Sequence, residues 1–345
     1  MQLTVHDMAF GGKGVGRADG MVVFVPFTIP GETVEVAVTR KKKNYAEAKL
    51  VLVETPSPDR VDPPCPYFGE CGGCAYQHIA YPAQLKIKEK QVADTLRRVG
   101  KKAEVPMRPI IPSPKPYEYR NRIRVHVTGN RVGFYNLGNR VMDIERCLIA
   151  APEVNQRLRE LRGKAMPEGD YTLSRRDSRF FEQTNSEVAR AMLEAVGSLV
   201  TPGGRLVDAY CGAGFFAQAL REKYDEVIGV EANEFAVQHA RKTAQSHERY
   251  IAGDVAVVLG DLLAERSGDE TTLLMDPPSA GVTPRVIDMI LAHNPREVVY
   301  VSCNPGTLAR DLAALGGAYR LESVTPLDMF PQTAEIEVIA HLKKP

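Results

Sequence analysis

Short runs of alternating apolar and polar residues fill the first 55 residues of the chain. The runs MVVFVPF, ETVEVAV and YAEAKLVLVE have the period of two that predicts half-buried β-strands, and the glycines of GGKGVGRADG mark turns. Several short strands in succession predict a small OB-like β-barrel over residues 1–57. The stretch RKKKNY joins two of these strands, and a basic turn beside Tyr45 suits either an RNA contact or an ordinary solvated hairpin tip.

The pattern changes after the proline-rich stretch PSPDRVDPPCP, and we assign residues 58–178 to a second, mixed domain. Within it, YPAQLKIKEKQVADTLRRVG (residues 81–100) carries apolar residues at helical spacing and predicts an amphipathic helix. Further along, YEYRNRIRVHV predicts a strand on which Arg120, Arg122 and Arg124 project from one face. Three cations at that spacing suit contact with successive RNA phosphates.

Residues 179–345 alternate between predicted strands and helices. The strands are RLVDAY, EVIGVEA, RYIAGD, TTLLMD and EVVYVSC, and two consecutive strands without an intervening helix close the chain. Strand–helix alternation predicts an α/β fold with a doubly wound parallel sheet, and the last two strands predict an antiparallel hairpin at its edge. This ending is typical of enzymes that use a nucleoside methyl donor and less so of dinucleotide dehydrogenases.

Composition describes an ordinary globular chain of 345 residues, 44% hydrophobic and 25% charged. Because it has neither a membrane-length apolar run nor the pattern of a signal peptide, we expect a cytoplasmic protein without a membrane partner. The net charge of +1 hides an asymmetry, since residues 81–135 hold 13 Lys and Arg against 4 Asp and Glu, whereas residues 201–345 hold 13 against 20. The basic middle predicts a polyanionic partner, or is simply a solvated charged face.

Three closely spaced cysteines form the segment CPYFGECGGC, with C-x5-C-x2-C spacing. They are Cys65, Cys71 and Cys74, and Cys147 is a candidate for a fourth ligand. In a cytoplasmic chain such cysteines are metal ligands more often than disulfides. Three close thiolates and one distant one favour a cubane iron–sulfur cluster, while a zinc site and a site without metal stay open.

A glycine-rich loop, Gly212-Ala-Gly214, follows the first strand of the α/β region, and acids end the next strands at Glu231 and Asp254. Glycines allow close approach of a ligand to the backbone, and a carboxylate after the second strand accepts ribose hydroxyls. These features fit either NAD or S-adenosylmethionine. The sequence Asp276-Pro-Pro at the end of the fourth strand favours a nucleic-acid base methyltransferase, with a purely structural turn as the alternative.

Cys303 ends the apolar strand EVVYVSC and is followed at once by Asn304-Pro305. Ligands and reactive groups of open α/β sheets gather at the carboxyl ends of the strands, where this thiol is expected. It is therefore a candidate nucleophile, although a small apolar residue closing a strand gives the same pattern.

Taken together, these motifs resemble those of the bacterial RNA uracil-5-methyltransferases, specifically the iron–sulfur-containing branch that acts on 23S ribosomal RNA. The resemblance spans essentially the whole chain: a TRAM-like barrel, the cysteine set, the F-x-Q-x-N motif of FFEQTN, the loop DAYCGAG, the nucleophile motif SCNPGTLARDL and the stretch MFPQTAEIEV. The F-x-Q-x-N motif falls on Phe181, Gln183 and Asn185. The resemblance implies that helix 81–100 packs on the catalytic domain, residues 179–345.

The resemblance also implies roles for individual residues. Cys303 would add to carbon 6 of uracil, and Glu337 would remove the proton from carbon 5 after methyl transfer. A [4Fe–4S] cluster would be held by Cys65, Cys71, Cys74 and Cys147. The positions expected to bind S-adenosylmethionine are Gln183, Tyr210, Gly212, Gly214, Glu231, Asp254 and Asp276. We expect a monomer that acts on 23S ribosomal RNA, with a uridine of the transfer RNA T-loop as the alternative.

The chain departs from the family pattern near the expected substrate pocket, at Phe215, Ser279, Gln332 and Glu335. These departures bear on the choice of target more than on the chemistry. Ser279 also argues against an adenine amino-methyltransferase, in which an aromatic residue normally follows the acidic Pro-Pro motif. A nicotinamide oxidoreductase lacks further support, and a non-catalytic RNA-binding protein would leave Cys303 and Glu337 without a role.

Overall fold

The computed structural model describes residues 1–101, 104–175 and 183–345. These residues divide into two compact units, each built from several stretches of chain. The first unit comprises Met1–Gln91, Ser113–Arg176 and Phe330–Glu335, and the second comprises Val92–Pro112, Asp177–Met329 and Ile336–Pro345. Phe181 of the F-x-Q-x-N motif lies outside the described residues.

A closed five-stranded barrel opens the first unit, as the alternating pattern predicts. Its interior is filled by small and branched side chains such as Val5, Val25 and Val36, which take every second position of their strands. Of the basic stretch at residues 40–43, Arg40 and Lys41 end one strand, and Lys42 and Lys43 lie in the exposed turn before the next. Around the barrel the strands follow the order β1-β2-β3-β5-β4, with the bounds β1 Gln2–Ala9, β2 Lys13–Ala18, β3 Met21–Pro26, β4 Thr33–Lys41 and β5 Tyr45–Thr55.

A four-stranded sheet with the order β8-β7-β6-β9 forms the rest of the first unit's regular structure. Inward residues of β6, including Ile123 and Val125, pack with Val154 and Leu158 of helix α2 in one apolar cluster. The elements here are β6 Arg122–Thr128, β7 Arg131–Tyr135, β8 Val141–Asp143, α2 Pro152–Arg162 and β9 Gly169–Ser174.

Helix α1, Tyr81–Arg98, confirms the amphipathic pattern of residues 81–100. The part up to Gln91 belongs to the first unit and the part from Val92 onward to the second. Val92 and Leu96 are fully buried in the core of the second unit.

The second unit contains a seven-stranded sheet with the order β12-β11-β10-β13-β14-β16-β15, in which β10 to β14 run parallel. The final pair, β15 and β16, is an antiparallel hairpin at the edge, as the sequence predicts. Its strands are β10 Arg205–Ala209, β11 Glu226–Glu231, β12 Glu248–Ala252, β13 Thr271–Met275, β14 Glu297–Ser302, β15 Arg320–Leu327 and β16 Glu337–Lys343. Its helices are α3 Ser186–Leu199, α4 Phe215–Leu220, α5 Glu234–Arg241, α6 Val255–Ala264, α7 Pro284–His293 and α8 Pro305–Leu315.

The outer edge of β15 is covered by a segment that the sequence pattern does not identify. Met107 and Ile111 form isolated parallel bridges with Val324 and Leu327. The Arg108 N–H donates to Val324 O at 2.8 Å, so this proline-rich segment occupies hydrogen-bonding groups that an open sheet edge would expose. Within the part of the chain that the structure describes, no helix has both the length and the apolar character needed to cross a membrane.

Candidate active site

The predicted site residues of the second unit gather where the parallel strands end. Tyr210 directly follows β10, Glu231 ends β11 and Asp254 follows β12 by two residues. Asp276 directly follows β13, and Cys303 directly follows β14. Because parallel strands present their carboxyl ends at one edge, the fold brings these five residues to the same edge of the sheet.

The loop after β10 turns sharply before helix α4. Gly212 and Gly214 have φ of 55° and 87°, and Tyr210 also has a positive φ of 65°. Side chains other than glycine rarely adopt such angles, which explains the two glycines. A Cβ at Gly214 would also lie 2.8 Å from Gln218 Nε2. The turn therefore keeps side-chain bulk away from the backbone where a ligand would approach it.

Glu231 is fixed by the loop that it faces. Its Oε2 accepts a hydrogen bond from the Gly212 N–H at 3.1 Å, and its Oε1 accepts one from the Asn233 N–H at 2.7 Å. Each carboxylate oxygen has a second lone pair, so the group can still accept two hydroxyl donors. This is the arrangement needed to hold both hydroxyls of a ribose.

Asp276 and Gln183 confirm that two separate motifs meet at this edge, since Gln183 Nε2 donates to Asp276 Oδ2 at 3.4 Å. Burial raises the pKa of Asp276. Asp254 has a further structural task, because its Oδ1 accepts from the Ala256 N–H at 2.8 Å and caps helix α6.

Asp208 is a buried acid of this region that sequence reasoning missed. Its Oδ2 accepts from the Ala217 N–H at 2.9 Å behind the glycine loop. Burial raises the pKa of Asp208, and the charges of Asp276 and Glu231 raise it further. The available signal was an acid inside the otherwise apolar strand RLVDAY.

Cys303 and Glu337 lie at the end of the ladder between β14 and β16. The ladder ends where Ser302 pairs with Val338, and the next residue on each side is Cys303, in the bend after β14, and Glu337, the first residue of β16. Glu337 is buried, with 4% of its surface exposed, while Cys303 is half-buried.

The loop that carries Cys303 is tied to the turn after β13. Asn304 caps helix α8 by accepting from the Gly306 N–H at 2.9 Å, and its Nδ2 donates to Ser279 O at 3.3 Å. Thr307 Oγ1 donates to the same carbonyl at 3.0 Å. Asp311 of helix α8, also missed by sequence reasoning, accepts from Tyr300 Oη at 2.8 Å and from the Val282 N–H at 3.1 Å. It therefore links helix α8 to β14 and to the turn that follows β13. The Asp-Pro-Pro-Ser turn and the cysteine therefore hold fixed relative positions.

The other thiol of this unit has a different environment. Cys211 is buried, with 4% exposed, and burial raises its pKa, as do the charges of Asp208 and Glu231. A thiol held neutral in this way is a poor nucleophile. Of the two cysteines, Cys303 is the accessible one.

The four remaining cysteines share one region of the first unit. Burial raises the pKa of Cys74 to about 12, and the thiols of Cys147, Cys71 and Cys65 contribute. Burial also raises the pKa of Cys147 to about 11, with a contribution from Cys71 and an opposing one from Arg120. In the described part of the chain no group of three or more ligating side chains is arranged to hold a metal ion. The four thiols are half-buried, and cysteine thiolates are the usual ligands of zinc and iron–sulfur centres, so the donor set suits such a centre in its chemistry.

The predicted arginine face is only partly correct. Arg122 and Arg124 lie on β6 and alternate with its inward residues, and Arg124 Nη2 pairs with Asp170 at 2.5 Å. Arg120 lies ahead of β6, where its backbone bridges to Ala150 and its Nε is buried without a hydrogen-bond partner among the described residues. The strand begins later than predicted because Arg120 is engaged by the neighbouring backbone, and its charge acts on Cys147.

Models of three known protein families match parts of this chain. A family model for tRNA (uracil-5-)-methyltransferases matches residues 264–345, a TRAM domain model matches residues 1–51, and a small methyltransferase domain model matches residues 178–300. An uncharacterised RNA methyltransferase of Bdellovibrio bacteriovorus is 33% identical, over 99% of this chain and 95% of its own. The chain belongs to the RNA uracil-5-methyltransferase family.

Further relatives agree with this assignment. An uncharacterised RNA methyltransferase of Aquifex aeolicus is 31% identical, over 99% of this chain and 98% of its own. The crystal structure of the tRNA (uracil-54, C5)-methyltransferase of Pyrococcus abyssi in complex with S-adenosyl-L-homocysteine superposes with a TM-score of 0.75. That structure is 25% identical and covers 99% of this chain and 100% of its own. The predicted TRAM barrel, methyltransferase fold and S-adenosylmethionine-dependent RNA methylation are confirmed.

Proposed function

We propose that this RNA methyltransferase transfers a methyl group to carbon 5 of a uridine through a covalent adduct on Cys303, with Glu337 as the general base. The observation that carries the proposal is the end of the β14–β16 ladder, where the accessible thiol and the buried carboxyl each adjoin the last pair, Ser302 and Val338. A nucleophile and a base on one face are what addition to a flat ring and removal of a proton from the neighbouring carbon require.

The chemistry follows from the poor nucleophilicity of carbon 5. The Cys303 thiolate adds to carbon 6, which converts the ring to an enolate. Carbon 5 then attacks the methyl group of the second substrate, S-adenosylmethionine, whose sulfur–methyl bond breaks to release S-adenosylhomocysteine. Glu337 then removes the proton left on carbon 5, and the bond between carbon 6 and sulfur breaks to release thiolate and 5-methyluracil. Helix α8 begins two residues after Cys303, and a helix N-terminus stabilises negative charge on sulfur.

S-adenosylmethionine would bind along the ends of β10 to β13. Glu231 would accept the ribose hydroxyls, and the loop containing Gly212 and Gly214 would admit the cofactor close to the backbone. Tyr210, Asp254, Asp276 and Gln183 complete the expected contacts. The target base would have to leave its stack to reach this edge, which favours looped or single-stranded RNA.

Two RNA substrates are candidates. The cysteine set favours 23S ribosomal RNA, whereas the likeness to the Pyrococcus abyssi enzyme favours a transfer RNA T-loop uridine. Transfer of labelled methyl to each RNA, followed by identification and mapping of the modified nucleoside, tests both. Label in 5-methyluridine supports the proposed chemistry, and label in N6-methyladenosine overturns it.

We also propose a [4Fe–4S] cluster on Cys65, Cys71, Cys74 and Cys147. Its support is the chemistry of the donor set, which is three closely spaced cysteines and a fourth, all four half-buried in the first unit. Protein purified without oxygen is expected to be brown and to contain about four iron and four sulfide per chain. Cys147→Ser should lower both contents. Stoichiometric zinc without iron or sulfide would contradict the cluster.

The arginines of β6 provide a test of RNA binding. Arg122→Glu and Arg124→Glu are expected to weaken RNA binding and to flatten its dependence on the logarithm of salt concentration by about 0.7 per lost phosphate contact. Binding of S-adenosylmethionine should stay unchanged. Arg285→Glu, on the exposed surface of helix α7, is the matched control. An unchanged salt slope in the β6 variants would show that these arginines do not contact phosphate.

A further inference from the structure

The hairpin loop between β15 and β16 is held by a part of the chain far away in sequence. Its segment Phe330–Glu335 belongs to the first unit, although the residues on both sides belong to the second. Pro331, Gln332 and Thr333 are buried. Glu337 follows this segment by two residues, so whatever fixes the segment also restricts where Glu337 can lie.

Lys88 of helix α1 holds both ends of the segment. Its side chain is fully buried, and Nζ donates to Phe330 O at 3.0 Å and to Glu335 O at 2.8 Å. Burial of a lysine is costly and therefore rare, and hydrogen bonds from a charged donor are stronger than neutral ones. One ammonium group thus binds the first and last carbonyls of the six-residue segment Phe330–Glu335, which ends two positions before the proposed base.

Gln84, one turn earlier on α1, holds the middle of the segment. Its Oε1 accepts from the Gln332 N–H at 3.1 Å, and its Nε2 donates to Gln332 Oε1 at 3.0 Å. Gln332 O in turn accepts from the N–H groups of Ala75 and Tyr76 at 3.0 and 2.9 Å. Gln332 has a φ of 68°, an unfavourable angle for this residue that its surroundings must maintain.

We propose that Lys88 and Gln84 are positioning residues for Glu337, an inference that rests on the function proposed above. They act through the segment Phe330–Glu335 and set the placement of the carboxyl that removes the proton from carbon 5. Cys303 directly follows a different strand, β14, so we expect addition of the thiolate and methyl transfer to depend less on this segment than elimination does. Loss of the hydrogen bonds from Lys88 and Gln84 therefore slows elimination specifically. A shift of the Glu337 carboxyl by about 1 Å is enough to cost about 100-fold in rate.

Lys88→Met tests the inference because it keeps a long apolar stem and removes both hydrogen bonds. We expect turnover on uracil RNA to fall by about 10-fold to 100-fold with little change in the KM for RNA. A methylated, denaturation-resistant protein–RNA adduct should accumulate, whereas trapping on 5-fluorouracil RNA should proceed at the wild-type rate. Lys86→Met, the same change at an exposed lysine on the same helix, should behave as wild type.

Gln332→Gly provides a milder second variant, since it removes the Oε1 contact with Gln84 and relieves the positive φ. Gln332→Gly should also accumulate adduct, to a smaller extent. If Lys88→Met does not fold, this variant alone tests the positioning role. Full turnover without adduct, or loss of turnover without adduct on either RNA, would overturn the positioning role. If wild-type protein methylates uracil RNA but is never trapped by 5-fluorouracil RNA, the covalent mechanism itself is wrong.

Discussion

Cys303→Ala is expected to abolish methyl transfer, with a loss of about 10⁴-fold or more, and to form no covalent complex with 5-fluorouracil RNA. Without a thiolate at carbon 6, carbon 5 cannot become nucleophilic, and no other described cysteine of the second unit except Cys211 offers a sulfur. Wild-type protein should methylate 5-fluorouracil RNA once and stay bonded to it, because fluorine cannot leave carbon 5 as a proton. Denaturing electrophoresis of labelled RNA measures the complex.

Cys211→Ala is the matched control for this experiment. Cys211 is buried beside Asp208 and Glu231, and its raised pKa keeps it as a neutral thiol. The variant should keep the covalent complex and most of its turnover. Isolation of a trapped peptide that contains Cys211, or an active Cys303→Ala protein, would show that another residue is the nucleophile.

The fold could be predicted to a large extent because its elements carry regular patterns. The parallel strands are continuous buried runs that alternate with helices, and the first barrel strand alternates between exposed and buried residues over positions 2–6. Their ends fix where Tyr210, Glu231, Asp276 and Cys303 lie, since strand direction alone determines which edge they reach. In this part of the chain, a correct prediction of the strands therefore also predicts where the site residues lie.

The features that could not be predicted depend on partners distant in the sequence. Gln84 and Gln332 are 248 positions apart, and nothing in either local pattern indicates their hydrogen bonds. The pairing of Met107 with β15 is hidden because prolines interrupt the alternation on which strand prediction relies. Arg120 continues the period of two of β6, but backbone pairing with Ala150 ends the strand before it. In each case the structure depends on contacts with distant residues, which the local sequence pattern does not reveal.

Asp208 and Asp311 are two functional residues for which the sequence does contain a weak indication. Each is a single acid within or beside an apolar run, and each is buried with backbone or phenol donors around it. A lone buried acid in such a run either orders the loop that it faces or takes part in chemistry, and sequence alone does not separate these. The hydrogen bonds from the N–H groups of Ala217 and Val282 show that Asp208 and Asp311 each order a loop.

Glu337→Gln is expected to separate the two halves of the reaction. Addition of Cys303 and methyl transfer do not need a base at carbon 5, so both should continue. Elimination does need one, and loss of a general base typically costs about 10²–10⁴-fold. The variant should therefore accumulate a methylated covalent adduct on ordinary uracil RNA, where wild-type protein shows little, and its steady-state turnover should fall while a single methyl transfer per enzyme remains fast.

The adjacent acid provides the comparison that isolates the role of Glu337. Glu335 is exposed and contributes its backbone carbonyl to Lys88, so Glu335→Gln keeps that contact and should show wild-type turnover without adduct. Glu337 is buried at the same end of the β14–β16 ladder as Cys303, and the amide of glutamine matches its shape but cannot take a proton. A Glu337→Gln protein that transfers its first methyl group rapidly and releases the RNA slowly would therefore be folded and would lack only the base. If Glu337→Gln turns over at the wild-type rate, or fails to form adduct even on 5-fluorouracil RNA, Glu337 is not the base that completes the reaction.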